Sequence, residues 1–156
     1  MRVAGIAVEM VTKGRPAVRL ALLDDASGVA IPVASEILHS DNVDLATQLH
    51  QMSEAVVSRM KGFDAERAVI RLADWSPYAA KKGGSRLRLL AEGAVISAAR
   101  GEVVDTHLGN GKELGALYGS DKAGLEADAM ALAGSHAVDA KFLDALGAAL
   151  TGLRLP

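Results

Sequence analysis

The sequence predicts a mixed α/β fold, with a meander of three antiparallel strands followed by helices alternating with two further strands. Three observations predict it. Apolar runs at 2–11, 17–23 and 29–34 are separated only by short turns. From Leu45 onward the apolar period lengthens to three and four residues. Half of the 156 residues are apolar, enough for a sizeable core without covalent staples.

Residues 2–11 read as a strand that is apolar on both faces, and Lys13-Gly14-Arg15-Pro16 as a turn. Residues 17–23 alternate as a second strand. Asp24-Asp25-Ala26-Ser27-Gly28 turns the chain into a third at 29–34, where Pro32 lacks a ladder donor and predicts a sheet edge. Short turns imply antiparallel pairing. Leu45, Leu49, Met52, Val56 and Met60 mark one face of a helix, which Ser40 or Asp41 can cap and Gly62 can end. Residues 67–73 form a central strand with a continuous apolar run. Residues 76–84 are a loop, and Ser85 caps a second helix that Gly101 breaks. A short strand at 102–107 and a glycine-punctuated loop, LGNGKELGALYG, follow. Helices at 121–133 and 137–152 close the chain. The order β-β-β-α-β-α-β-α-α requires right-handed parallel crossovers, hence a mixed five-stranded sheet with helices on both faces. No repeat or linker divides it, so 1–156 reads as one domain.

Composition narrows the function. The chain has no cysteine, which excludes disulfides and thiolate metal sites and suits a reducing cytoplasm. The first residues lack the apolar run of a signal peptide, and no stretch reaches the roughly 20 apolar residues of a membrane span. Net charge is −2, so any nucleic-acid contact must come from a local patch. With 3% aromatic residues a base-stacking platform is not expected.

Several strings carry a resemblance. Gly5-Ile6-Ala7 lies in the first strand, Ala68-Val69-Ile70-Arg71 in the fourth, and Leu90-Ala91-Glu92-Gly93-Ala94-Val95-Ile96-Ser97-Ala98-Ala99 in the second helix. Gly119-Ser120-Asp121-Lys122 precedes the penultimate helix, and Asp139 and Asp144 flank the start of the last. Together with the element order, these strings resemble ribonuclease H-like proteins, and within them the RuvC-type Holliday-junction resolvases. The chain is also similar to a small uncharacterised bacterial family of the same fold. The resemblance implies nucleic-acid binding, a homodimer, and hydrolysis with two Mg²⁺ or Mn²⁺ ions held by three or four carboxylates.

The chain departs from that pattern. Where the resemblance implies aspartate on the first strand it has Ala7, and where it implies glutamate on the fourth it has Arg71. Glu9 lies two residues on, hence on the same strand face. It either reaches a displaced ion or is a solvated strand end paired with a cation such as Arg71. Asp74 either substitutes for the lost glutamate or starts a turn before Trp75-Ser76-Pro77. Asp139 and Asp144 match the last-helix carboxylates. On one helix they would stand about 140° apart and could not share an ion. Asp139 also reads as an N-cap and Asp144 as a surface partner of Lys141. Glu126 and Asp128 form a second acidic pair on a solvated face. Glu9, Asp74, Asp139 and Asp144 are thus the catalytic candidates, with Glu9 and Asp144 the metal ligands if the site is active. Lys81, Lys82, Arg86 and Arg88 form a basic stretch beside Gly83-Gly84-Ser85, an anion site at a helix start or a solvated loop. His39, His50, His107 and His136 lack ligand spacing, and LGNGKELGALYG fits no phosphate-cradle motif. The expectation is a degenerate member with a binding or regulatory role and no cofactor. The alternatives are an active nuclease with relocated carboxylates and a protein-interaction module.

Overall fold

The structure is a computed structural model describing residues 1–11, 15–25, 31–38, 44–74 and 83–156. Its strands are β1 (Arg2–Val11), β2 (Arg15–Asp24), β3 (Ile31–Leu38), β4 (Arg67–Arg71) and β5 (Thr106–Gly109). Its helices are α1 (Leu45–Phe63), α2 (Gly83–Glu102), α3 (Gly111–Tyr118), α4 (Lys122–Ser135) and α5 (Leu143–Arg154), with a 3₁₀ turn at Ala140–Phe142. One sheet runs in the order β3-β2-β1-β4-β5. β1 pairs antiparallel with β2 and parallel with β4, while β2–β3 is antiparallel and β4–β5 parallel.

The expected architecture is therefore present, with β3 at the edge and its Pro32 opposite Leu23. Alternation along the strands sends side chains to two cores. Ile6, Val8, Leu20 and Ile70 meet Met52, Val56 and Met60 of α1 and Val95 and Ala99 of α2. On the other face Val3, Ala21, Leu23 and Val69 meet Leu114, Leu125 and Leu146 from α3, α4 and α5. α5 lies on β1, β2 and β4 at once.

Several element ends differ from the sequence expectation. β3 runs on to Leu38 because the edge ladder, not the apolar pattern, carries it past Ser35 and Glu36. β4 stops at Arg71, and α1 is capped by Asp44, whose carboxylate accepts the Thr47 amide at 3.1 Å. Ser40 and Asp41 lie outside the described residues. α1 continues through Gly62 and ends on Asp64, in a left-handed conformation at φ 51°. Leu45 is exposed at the helix start. α2 contains Ser85 and runs through Gly101, where the Val103 amide still reaches the Ala99 carbonyl at 2.8 Å. β5 lies later than expected, at Thr106–Gly109. The glycine-punctuated stretch is not a loop but α3, held by a capping box: the Asn110 side chain accepts the Lys112 and Glu113 amides, and the Glu113 carboxylate accepts the Asn110 amide. α5 begins at Leu143 rather than 137, after Ala137 (φ 54°) and the 3₁₀ turn.

Candidate functional site

The C-terminal ends of the central parallel strands are where a fold of this kind places a site. There the register puts Ala7 of β1 directly opposite Arg19 of β2 on one side and Arg71 of β4 on the other. All three point to the α5 face, and all are buried: Ala7 is 3% exposed, Arg19 5% and Arg71 7%. An alanine methyl between two strands leaves room for two flanking guanidinium groups. Buried cations need partners, and each finds acids at the surface. Arg19 Nε donates to Glu9 Oε2 at 3.2 Å. Arg71 Nη2 donates to Asp74 Oδ2 at 2.8 Å, its Nη1 donates to the Leu72 carbonyl, and its Nε lies 3.8 Å from Asp144 Oδ1.

Asp74 is the hub. Its Oδ2 also accepts from Lys122 Nζ at 2.7 Å, and its Oδ1 accepts the Gly111 amide at 3.0 Å. Partial burial pulls its pKa upward, but the Lys122, Arg71 and Gly111 donors together outweigh that and hold the carboxyl well below the usual range. The same contact raises the Lys122 ammonium. Lys122 reaches on to Glu126 Oε1 at 3.6 Å. Gly111 fits closely beneath this arrangement: a Cβ there would stand 2.6 Å from Arg71 Nη2 and 3.0 Å from Lys122 Cδ, so those side chains would have to shift.

Glu92 of α2, 5% exposed, supports the segment that carries Asp74. Its Oε1 accepts the Ala73 amide at 2.9 Å and Arg88 Nε at 3.1 Å. Beside these pairs is an open hollow of about 300 Å³, floored by Ala7 and Val8 and walled by Glu9, Arg19, Arg88, Lys141 and Asp144 among others.

The four catalytic candidates do not converge as ligands. Glu9 pairs with Arg19, not with Arg71 as its position suggested. Asp74 and Asp144 both face Arg71. Asp139 caps the 3₁₀ turn, accepting the Lys141 amide at 2.9 Å, and is not on α5 at all. Of the second acidic pair, Glu126 faces Lys122, while Asp128 accepts from the Tyr118 hydroxyl at 2.8 Å. Arg88 is tied to Glu92, Arg86 is exposed, and Lys81 and Lys82 lie outside the described residues, as does His39. His50 faces Glu54, His107 bonds Asp105, and His136 ends α4. Arg19, Lys122, Gly111 and Glu92 are the site members that sequence reasoning did not single out as functional. A lone arginine inside the apolar run of β2 was the available signal for Arg19.

Searches by sequence find no matching family model and no matching curated protein. Comparison with solved structures does find matches. Thermus thermophilus RuvC in complex with a Holliday junction substrate superposes with a TM-score of 0.69 at 17% identity, covering 99% of this chain and 93% of that one. A second T. thermophilus RuvC structure matches with TM-score 0.69 at 15% identity, covering 99% and 94%.

The chain has the ribonuclease H-like fold of the RuvC type. The divalent cations implied by the resemblance to RuvC-type resolvases need oxygen ligands converging on one point. In this RuvC-like chain the strand-end row offers one methyl and two guanidinium groups instead. Both Asp74 oxygens are taken by donors of the chain itself. Among the described residues no group of three or more His, Asp or Glu side chains is arranged to hold a metal ion. The residues present therefore do not fit a divalent ion pair. Nor is any described helix long and apolar enough to cross a membrane.

Proposed function

We propose that this chain is a RuvC-fold module that binds duplex or branched nucleic acid without metal-dependent cleavage. One observation carries the metal-free part: the buried row Arg19–Ala7–Arg71 at the strand ends, with its acids engaged by cations. The nucleic-acid part draws support from the likeness of nearly the whole chain to a RuvC captured with a Holliday junction. The basic stretch of sequence Lys81, Lys82, Arg86 and Arg88 is the segment we assign to phosphate contacts. The reading takes 1–156 as one cytoplasmic domain that pairs as a homodimer.

The test is binding to four-way junction and plain duplex DNA across a salt series, with and without Mg²⁺ or Mn²⁺. Wild type is expected to bind with a steep salt dependence and to leave the DNA intact. The Lys81→Ala/Lys82→Ala/Arg86→Ala/Arg88→Ala variant is expected to lose affinity, with a slope shallower by about one for each phosphate contact removed. Cleavage by wild type would overturn the metal-free part and favour a nuclease with relocated carboxylates.

A second reading, a protein-interaction or regulatory module, is favoured by charge. The acids and bases at the strand ends are matched, Arg88 is held by Glu92, and the chain as a whole is acidic. No binding to any nucleic acid at low salt would leave this one standing.

A further inference from the structure

We infer that Arg71 and Lys122 are built-in counter-cations: they tie Asp74 to Asp144 and to Glu126 at the strand ends by fixed side-chain charge, in place of a divalent ion. This rests on the metal-free part of the reading above and deepens it. The geometry is specific. One guanidinium and one ammonium share a single carboxylate oxygen, Asp74 Oδ2, at 2.8 and 2.7 Å. Each then reaches one further acid, Arg71 to Asp144 at 3.8 Å and Lys122 to Glu126 at 3.6 Å. The result is a chain of five alternating charges, Asp144–Arg71–Asp74–Lys122–Glu126, drawn from β4, the segment after it, α4 and α5. Without the two cations, Asp74, Asp144 and Glu126 would lose the charges that offset theirs at this end of the sheet.

The arrangement is also built rather than incidental. Arg71 is 7% exposed and reaches the acids from inside the sheet. Gly111 leaves out a Cβ that would crowd the Arg71 guanidinium and press on the Lys122 stem, and its amide fills the remaining Asp74 oxygen. The Ala73 amide bonded to buried Glu92 fixes the backbone just before Asp74. An alanine at position 7 is the complement, because a carboxylate between Arg19 and Arg71 would compete with Glu9, Asp74 and Asp144 for the same donors.

The role predicts an exchange. Replacing both cations by methionine, which keeps part of the apolar stem and removes the charge, leaves three uncompensated carboxylates, not pre-arranged as ligands, whose charge a divalent cation can offset. Thermal unfolding with Mn²⁺ or with chelator is measured for wild type, Lys122→Met and Arg71→Met/Lys122→Met. Wild type is expected to unfold at one temperature in both conditions. The double variant is expected to unfold lower in chelator and to regain about 5 °C in Mn²⁺ well above its dissociation constant. Adding Asp74→Asn should abolish that gain.

Lys122→Met removes only a half-exposed side chain and serves if the double variant fails to fold. It should show a smaller rise in Mn²⁺ of the same sign. No Mn²⁺ response in either folded variant overturns the inference, as does a wild-type response equal to theirs. No nucleic acid enters this measurement. Variants that ignore Mn²⁺ beside an inert wild type sink the counter-cation role and leave junction binding untouched. Loss of junction binding leaves the counter-cation role untouched.

Discussion

At the scale of single residues, Asp74 has the most consequential surroundings. Its pKa lies below the ordinary carboxylate value of about 4, because two cations and an amide stabilise the charged form against partial burial. A depressed folded-state pKa contributes stability that is fully present above the unfolded value. That contribution drains away as pH falls toward the folded value. Asp74→Asn removes the titration and leaves Arg71 short of an acid. The variant is expected to be less stable than wild type at pH 7 by about 1 kcal/mol, a figure kept small because the carboxylate is half-exposed. Below about pH 4 the gap should begin to narrow, and it closes only as pH falls through the depressed folded value, since wild type then loses what the variant never had. Urea denaturation at pH 7, 5 and 3 checks this, and a gap that widens on acidification would refute it.

Part of this was legible in the sequence. Ala7 and Arg71 could be read as departures from a carboxylate pattern without coordinates. Where the cations go could not, because partners depend on register and on helix placement. Arg71 seemed free to pair with Glu9, yet Glu9 lies beside Arg19, which is offset from it by two residues in the antiparallel ladder. Lys122 stands 48 positions from Asp74, and nothing local links them. Asp139 looked like a site acid and is a turn cap.

At the scale of elements, α3 is the instructive case. Its surroundings hold Gly109, Gly111, Gly115 and Gly119, and glycine costs a helix interior about 1 kcal/mol each relative to alanine. Propensity therefore reads the stretch as a loop. The helix forms because the Asn110–Glu113 capping box satisfies its first amides and because Leu114 is fully buried against the α4–α5 core. Tertiary burial outweighs propensity here, while the capping residues, three apart, were visible but unremarked among the glycines. Asn110→Ala is expected to cost about 1 kcal/mol, the usual worth of such a cap. Because α3 carries the Gly111 amide to Asp74, the same change should also shift the backbone amide resonance of Gly111. Denaturation together with an NMR amide spectrum measures both. An unchanged midpoint would mean that burial alone holds the helix. The contrasting case is α1, whose buried Met52, Val56 and Met60 follow the apolar spacing directly.

At the scale of the whole molecule, the topology was the most legible feature, because turn chemistry and a change of hydrophobic period fix the order of elements. What the order does not convey is how closely layers approach. α5 crosses β1, β2 and β4, and at Gly5 its backbone lies against the strand. A Cβ built on Gly5 would overlap the Ala145 carbonyl oxygen and stand 2.6 Å from the Ala149 nitrogen. Those are main-chain atoms that cannot rotate aside, so the helix would have to lift from the sheet. Lifting it loosens Leu146 and Leu125 on that face and withdraws Asp144 from Arg71. Gly93 differs in kind. It sits exposed inside α2, and nothing stands within 4 Å of an added Cβ. Gly5→Ala is thus expected to destabilise by about 1–3 kcal/mol, as overpacking does. Gly93→Ala is expected to stabilise by about 0.5–1 kcal/mol through helix propensity. Both are read from urea midpoints at constant m-value. The opposite signs of one chemical change separate close packing from helix propensity. A neutral Gly5→Ala would mean that α5 rides higher on the sheet than the row Arg19–Ala7–Arg71 requires.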